Sequence, residues 1–330
     1  MAVLVTGGAG YIGSHMVLAL VDRGEDVVVL DNLSTGFRWA IAPSAKLIEG
    51  DVGDIEKVGS IIAEERIDSI IHFAGSIVVP DSVSDPLGYY LNNTVKSRAL
   101  IEAAVTGGVT HFIFSSTAAV YGMPETFPVR EDAPLAPISP YGSSKMMTEI
   151  MLRDSAFAYD FNYVALRYFN VAGADPAGRS GQSTPRATHL IKVAGEAVVG
   201  KRSHLDVYGT DYDTPDGTCV RDYIHVSDLA RAHLLALDHL RGGGDDLVMN
   251  CGYGRGFSVL EVIDAVKRVS GVDFEVRMAA RRPGDPAALV AGAERIRERL
   301  GWTPERDRLD DIVADALNWE KKLKDSGLNS

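Results

Sequence analysis

Short runs of β-branched and other apolar residues alternate with longer segments of helical periodicity along the first half of the chain. Buried strands are predicted at Val3–Val5, Val27–Leu30, Ile70–Phe73, Phe112–Ser115 and Tyr163–Leu166. Helices are predicted between them, at Ile12–Asp22, Ile55–Glu65, Tyr89–Ala104 and Tyr141–Tyr159. Strands and helices that alternate in this way form a parallel sheet covered on both faces. The pattern therefore predicts an α/β fold built on a doubly wound parallel sheet.

The second half of the chain is less regular, because turn-rich stretches separate shorter elements. Helical periodicity returns at Val226–His239, Val259–Val269 and Leu309–Lys322. We expect residues 1–170 to form the sheet-bearing domain and residues 171–330 a smaller mixed α/β lobe. Some segments of this lobe are expected to pack back onto the first sheet.

Composition narrows the class of protein. The 330 residues include 46% apolar and 24% charged residues, enough apolar side chains for a compact core. The formal net charge of −12 argues against sequence-independent binding to nucleic acid or to an anionic membrane. No uninterrupted apolar run is long enough to cross a membrane. Two cysteines without metal-ligand spacing indicate neither a disulfide framework nor a metal site, so a cytoplasmic location is expected.

A glycine-rich segment, Gly7–Gly13, follows the first predicted strand and opens the first predicted helix. Glycines at this spacing allow a tight turn and let backbone N–H groups approach a pyrophosphate at the helix start, although such a segment alone also fits an ordinary turn. Asp31 ends the second predicted strand, where a carboxylate accepts hydrogen bonds from an adenosine ribose and repels a 2′-phosphate. Together the two signals predict a Rossmann-type dinucleotide site that prefers NAD to NADP.

Two further signals come from hydroxyl and amine side chains. Tyr141 and Lys145 stand one turn apart on the same face of a predicted helix, and a nearby ammonium favours the phenolate that a basic tyrosine needs. This pair alone also fits a solvated helix face. The Phe112–Ser115 strand runs into Ser116 and Thr117, which places hydroxyls at the edge of a parallel sheet where ligands bind.

The glycine segment, Asp31, the strand-end hydroxyl and the Tyr-x-x-x-Lys pair occur in an order that resembles the extended short-chain dehydrogenase/reductase family. Longer blocks look like the UDP-glucose (UDP-galactose) 4-epimerase branch of that family, and they extend over nearly the whole chain. These blocks are Thr6–His15, Ile71–Gly75, Phe112–Thr117, Leu166–Asn170, Asp216–His225 and Arg281–Asp285.

The resemblance implies a role for each matching position. It implies that Tyr141 is the catalytic base, that Lys145 is its electrostatic partner and a ribose ligand, and that Thr117 bonds the sugar 4-oxygen. The positions that match NAD contacts are Gly7, Gly10, Tyr11, Ile12, Gly13, Asp31, Asn32, Asp51, Val52, Phe73, Ala74, Gly75, Asn92, Tyr141, Lys145 and Phe169. The positions that match UDP-sugar contacts are Thr117, Tyr141, Asn170, His189, Leu190, Asp206, Val207, Tyr208, Arg221, Arg282, Asp285 and Leu289.

Three positions depart from the family pattern. Ile77 stands where many members have lysine, and His189 stands where a substrate-binding asparagine is usual. Leu289 replaces a tyrosine that narrows the sugar pocket in some members, so it leaves room for an N-acetyl group or fills the pocket differently. Of all the expectations, the identity of the sugar is the one that these departures affect most.

The implied reaction is the interconversion of UDP-glucose and UDP-galactose by transient oxidation at C4 with bound NAD, in a homodimer. Ala118 and Ala119 follow Thr117 where dehydratases of the family carry an acid/base pair, and methyl groups transfer no protons, so dehydration is disfavoured. A UDP-N-acetylhexosamine or UDP-xylose/UDP-arabinose 4-epimerase remains an alternative. An NAD-sensing binding module on the same fold is the alternative from a different class.

Overall fold

A parallel sheet forms the centre of the molecule in the computed structural model, which describes residues 1–184, 187–282 and 284–328. Among these residues, seven strands join in the order β10-β6-β5-β4-β1-β2-β3. Their bounds are β1 (Ala2–Thr6), β2 (Asp26–Asp31), β3 (Lys46–Glu49), β4 (Ile67–His72), β5 (His111–Thr117), β6 (Asn162–Tyr168) and β10 (Leu247–Cys251). All six pairings are parallel. Ligand-binding residues of such sheets collect at the carboxyl edge.

Helices cover both faces of this sheet. Along β1 the side chains alternate, so that Val3 and Val5 belong to one buried cluster and Leu4 to the other. The helices are α1 (Tyr11–Asp22), α2 (Ile55–Glu65), α3 (Val79–Ser84), α4 (Pro86–Tyr89), α5 (Lys96–Thr106), α6 (Pro140–Ala158), α7 (Leu190–Val198), α8 (Val226–Arg241), α9 (Val259–Ser270), α10 (Glu294–Leu300) and α11 (Leu309–Ser326). Helices α1 and α8 pack on the first face, and α2, α5 and α6 pack on the second.

The remaining strands form two small sheets beside the carboxyl edge. They are β7 (Asn170–Ala172), β8 (His204–Tyr208), β9 (Val220–His225), β11 (Gly256–Ser258), β12 (Glu275–Ala279) and β13 (Ala288–Leu289). Strand β9 pairs with β7, β11 and β13, and β8 pairs with β12. The fold predicted from the sequence, a doubly wound parallel sheet with a smaller mixed portion, is confirmed.

The structure adds elements that periodicity did not predict. Strand β3 is short and half exposed, and β10 lies far along the chain although it closes the main sheet next to β6. The helix predicted at Tyr89–Ala104 is interrupted by a π-helical segment, Tyr90–Val95, between α4 and α5. A short π-helical segment changes the spacing of apolar residues too little for the sequence pattern to reveal it.

Candidate active site

The glycine-rich segment forms a tight turn between β1 and α1. Gly7 has φ of +72°, and a Cβ there would lie 2.6 Å from the backbone nitrogen of Ala74. A Cβ at Gly13 would lie 2.1 Å from the carbonyl oxygen of Gly7. Both positions therefore require glycine. Gly10 caps α1 without a side-chain hydrogen bond, so the cap leaves the first backbone N–H groups of the helix available, and such groups fit a dinucleotide pyrophosphate.

Asp31 lies at the carboxyl end of β2, directly beside this turn. Its carboxylate accepts hydrogen bonds from the backbone N–H of Ala9 at 2.9 Å and of Leu33 at 2.8 Å. Leu33 has φ of +56°, and the next hydrogen bond of the loop runs from Ser34 N–H to the Asn32 side chain. The carboxylate thus holds the glycine turn and the loop after β2 in fixed relation.

The other predicted cofactor residues also follow strands of the main sheet. Asp51, with its buried neighbour Val52, follows β3 and forms a 2.5 Å ion pair with Lys96. Burial acts to raise the pKa of Asp51, but the hydrogen bonds from Lys96, from the backbone N–H of Gly53 and from Asn32, together with the Lys96 charge, outweigh it and the pKa is lowered. The same edge carries Phe73, Ala74 and Gly75 after β4, Asn92 in the π-helical segment and Phe169 after β6.

Thr117, Tyr141 and Lys145 meet at this edge, as the sequence predicted. Thr117 ends β5, while Tyr141 and Lys145 lie on the first two turns of α6. A Cβ at Gly142 would approach the carbonyl oxygen of Ala119 to 2.6 Å, so the start of α6 packs directly on the segment that follows Thr117. The Lys145 ammonium is buried and donates a hydrogen bond to the carbonyl oxygen of Ser115 at 2.9 Å.

The electrostatics of this trio differ from the sequence-based expectation. Burial raises the pKa of the Tyr141 phenol, and a hydrogen bond with the Thr117 side chain offsets only part of that rise. Burial also lowers the pKa of Lys145 to about 8, so its ammonium is retained only below mildly alkaline pH. The side chains alone therefore keep Tyr141 neutral, and a phenolate at neutral pH needs a further positive charge beside the ring.

The sheet around β9 brings together residues predicted to hold a UDP-sugar. Arg221 on β9 lies in register with Leu289 on β13, and its guanidinium is 3.4 Å from the Asp285 carboxylate. Asn170 on β7 pairs with Tyr223 on the same central strand. Leu289 and Phe169 share a small apolar cluster with Met146, the neighbour of Lys145. This cluster connects the predicted sugar residues to the helix that carries Tyr141.

The second predicted arginine stands over an aromatic ring. The guanidinium carbon of Arg282 lies 3.8 Å from the centroid of Tyr208, which ends β8. Asp206 shares the partly exposed face of that strand and lies 3.6 Å from His204. Val207 faces the opposite way and is fully buried, so only its backbone can contact a ligand. A flat ring and a guanidinium at one strand end can bind a nucleobase and a phosphate respectively.

His189 caps the start of α7, immediately before Leu190. Burial lowers its pKa, so the ring is neutral at pH 7. Gln182 is the partner that sequence reasoning missed: its side-chain nitrogen lies 2.7 Å from Nδ1 of His189. Isolated glutamine carries no motif, so only the folded arrangement reveals this contact. Ile77 is half exposed beside the turn after β4.

Asn93 is a second residue that the sequence did not single out. It is buried, its Oδ1 accepts a hydrogen bond from Ser76 N–H at 2.7 Å, and its Nδ2 donates to the Ser144 hydroxyl at 3.1 Å. It thereby ties the turn after β4 to the residue before Lys145. The feature of the sequence that could have identified Asn93 is its position next to Asn92, a predicted NAD contact.

The described part of the chain, which omits residues 185–186, 283 and 329–330, contains no cluster of histidine, cysteine, aspartate or glutamate able to hold a metal ion. Within that same part, no helix is sufficiently long and apolar to span a membrane.

Known proteins resemble this chain over nearly its whole length. The chain is 61% identical to the UDP-glucose 4-epimerase of Azospirillum brasilense over 324 residues, 98% of this chain and 93% of that protein. The UDP-glucose 4-epimerase of Brucella ovis in complex with NAD aligns with a TM-score of 0.94 and 44% identity, over 97% of this chain and 98% of that one. The enzyme of Bifidobacterium longum in complex with NAD+ and UDP aligns with a TM-score of 0.93 and 40% identity, over 98% of both chains.

The parallel sheet, the glycine turn and the Thr-Tyr-Lys trio define an NAD-dependent enzyme of the Rossmann type. Residues 3–252 match the NAD dependent epimerase/dehydratase family, and the chain belongs to that family. The resemblance deduced from the sequence blocks is thereby confirmed.

Proposed function

We propose that this protein interconverts UDP-glucose and UDP-galactose, using bound NAD. The observation that carries the proposal is the meeting of Thr117, Tyr141 and Lys145 at the sheet edge of a chain 61% identical to a UDP-glucose 4-epimerase. The names of the relatives favour the hexose over the N-acetylhexosamine or pentose alternatives. A protein that only senses NAD would not need this trio, so its presence favours an enzyme over an NAD-sensing module.

Tyr141 acts as the base that removes the proton of the sugar 4-hydroxyl. Thr117, which hydrogen bonds Tyr141, orients both that hydroxyl and the phenol. Lys145 contributes a positive charge and a donor toward the cofactor ribose. When bound, NAD supplies the reversible oxidation at C4 and, in its oxidised form, the additional positive charge that Tyr141 needs.

The glycine turn and Asp31 hold the cofactor. Backbone N–H groups at the start of α1 bind its pyrophosphate, and the Asp31 carboxylate accepts hydrogen bonds from its adenosine ribose. The crowding at Gly7 and Gly13 supports this assignment, because larger residues at either position would push the turn away from the sheet. We assign residues 1–170 mainly to the cofactor and residues 171–330 mainly to the UDP-sugar.

Arg221 and Arg282 bind the diphosphate, and Asn170 and His189 add hydrogen bonds to the substrate. Arginine suits this task because its planar donors match phosphate oxygens. The wall near Leu289 is apolar by contrast. When UDP is bound firmly and the hexose only weakly, the oxidised sugar can rotate within the pocket before it is reduced on its other face.

The test is conversion of UDP-galactose to UDP-glucose by the purified protein, followed by NMR without added NAD. Tyr141→Phe should abolish turnover while the protein still binds NAD. Tyr159→Phe, at the exposed end of the same helix, is the matched control and should retain activity. Turnover by Tyr141→Phe, or none by the unmodified protein, would refute the proposal.

We also propose that the protein forms a homodimer through α6 and the α4–α5 region. Leu87, Leu91 and Val95 lie one helical turn apart and are 79%, 55% and 53% exposed. On the adjacent α6, Ile150 and Phe157 are also exposed, Phe157 to 95%. Two neighbouring apolar stripes of this kind mark an interaction surface.

Sedimentation velocity tests the dimer. The unmodified protein should sediment as a dimer, Leu91→Asp should shift it to a monomer, and Met278→Asp, at an exposed site elsewhere, should leave the dimer intact. A monomeric unmodified protein would refute the proposal that this surface forms a dimer.

A cytoplasmic location is also part of the proposal. It is supported by two free, buried cysteines, and cell fractionation tests it.

A further inference from the structure

A buried ion pair lies directly behind the proposed catalytic residues. Arg167 on β6 binds Glu149 on α6 through two hydrogen bonds, Nε to Oε1 at 2.9 Å and Nη2 to Oε2 at 2.6 Å. Only 4% of Arg167 and 6% of Glu149 is exposed. Neither residue has a part in the chemistry proposed above, and neither was predicted from the sequence to bind a ligand or to take part in catalysis.

Both ends of this pair attach next to residues of the trio. Glu149 lies one helical turn after Lys145, on the same face of α6. Its carboxylate also accepts a hydrogen bond from the hydroxyl of Ser116, which immediately precedes Thr117. Arg167 is the parallel-sheet partner of Ser116. A single carboxylate on α6 is thus fixed to β5 and β6 at the level of Thr117.

Arg167 is also held by a hydrogen-bond chain through Tyr121 to Asn250. Its Nη1 donates to the Tyr121 hydroxyl at 2.8 Å, and that hydroxyl donates to Oδ1 of Asn250 on β10 at 2.7 Å. The guanidinium also lies 5.0 Å from the centroid of the Tyr121 ring. The arginine is therefore anchored to the rigid sheet, and Glu149 is the group through which α6 is aligned with it.

Burying such a pair costs desolvation free energy that apolar side chains of similar volume would not, so its value to stability is small. Its value to geometry is large, because a forked, bidentate bond fixes both the position and the rotation of the helix. Tyr141 and Lys145 lie on that helix, while Thr117 belongs to the sheet. A shift of one element against the other separates the phenol from its hydroxyl partner.

We propose that Glu149 and Arg167 are positioning residues that align the α6 pair, Tyr141 and Lys145, with Thr117 on β5 for the reaction. This inference rests on the proposed epimerase function. It predicts that the pair affects turnover much more than substrate binding or folding, since the groups proposed to bind the pyrophosphate, the adenosine ribose and the UDP diphosphate lie on other elements.

The deciding variant is Glu149→Met/Arg167→Met, which removes both charges together and leaves no unpaired ion. We expect a melting temperature at or above that of the unmodified protein, bound NAD and KM for UDP-galactose within about twofold, and kcat reduced about 10- to 100-fold, as small misplacements of reacting groups cause. Arg167→Lys keeps the charge without the fork and should have an intermediate kcat.

Arg241→Met is the matched control, because Arg241 forms similar forked bonds to Glu25 and Asp68 at the opposite edge of the sheet. Its kcat should equal that of the unmodified protein. A double variant with normal kcat, or one whose kcat loss is matched by loss of folded protein or bound NAD, would overturn the positioning role. Activity of the unmodified protein in the same assay reports separately on the proposed function.

Discussion

Replacing Lys145 by methionine should strongly reduce turnover and at the same time stabilise the folded protein. The ammonium is buried, and burial lowers its pKa from 10.5 to about 8. A shift of this size corresponds to a folding penalty of about 3 kcal/mol at neutral pH. Methionine has a similar volume and no charge, but it loses the hydrogen bond to the Ser115 carbonyl oxygen, worth about 1 kcal/mol. The net stabilisation is about 2 kcal/mol at pH 7.

The effect should disappear in alkali. Lys145 releases its proton near pH 8 when folded and near 10.5 when unfolded, so between these values the unfolded chain binds more protons. The stability of the unmodified protein therefore rises with pH across this window relative to that of the variant. The advantage of Lys145→Met is full below pH 8 and is lost as the pH approaches 10.5.

Urea unfolding of NAD-free protein, followed by tryptophan fluorescence at several pH values from 7 to 10, measures both quantities. Lys321→Met, at an exposed position on α11, is the control and should show no pH-dependent difference. Turnover of Lys145→Met should fall by about 100-fold or more. A variant less stable than the unmodified protein at pH 7, or a gap that does not narrow toward pH 10, would refute the reasoning.

Three further outcomes are expected. Asp31→Ala should raise the dissociation constant for NAD about 10- to 100-fold by calorimetry, while the exposed Asp26→Ala should not; equal affinities would contradict the ribose contact. Arg282→Met should raise KM for UDP-galactose about tenfold or more in initial-rate assays, and an unchanged KM would exclude phosphate binding. Gly13→Ala should lower stability and prevent NAD binding because its Cβ meets a carbonyl, whereas Gly59→Ala, in open space on α2, should stabilise by about 1 kcal/mol in urea unfolding.

Periodicity was enough to predict the centre of the fold. Valine-rich runs such as Val27–Leu30 are buried on both faces of the sheet and are recognisable without a structure. Strand β10 was not predicted, because Leu247–Cys251 lies in the irregular half and its partner β6 is remote in sequence. The three strands that pair with the six-residue β9 have only two or three residues each, which is too short for any period to appear.

The site was predicted as residue types, and its electrostatics were not. Tyr141 and Lys145 were found from their spacing, yet spacing conveys nothing about burial, which governs the pKa of both. Glu149 lies on the same face of the predicted helix and would pass for a solvated acid. Its partner Arg167 lies within the Leu166–Asn170 block, but which side chain it binds depends on how α6 is rotated over β5 and β6.

The placement of β10 beside β6 means that the two ligand sites cannot be exchanged as separate modules. The chain leaves the main sheet at residue 168 and returns to it at residue 247, after forming β7, α7, β8, β9 and α8. A fragment ending at residue 170 would leave β6 as an unprotected edge, open to pairing with other chains. New sugar specificity in this scaffold therefore has to arise by substitution within the loops and short strands, since neither half can be transplanted intact.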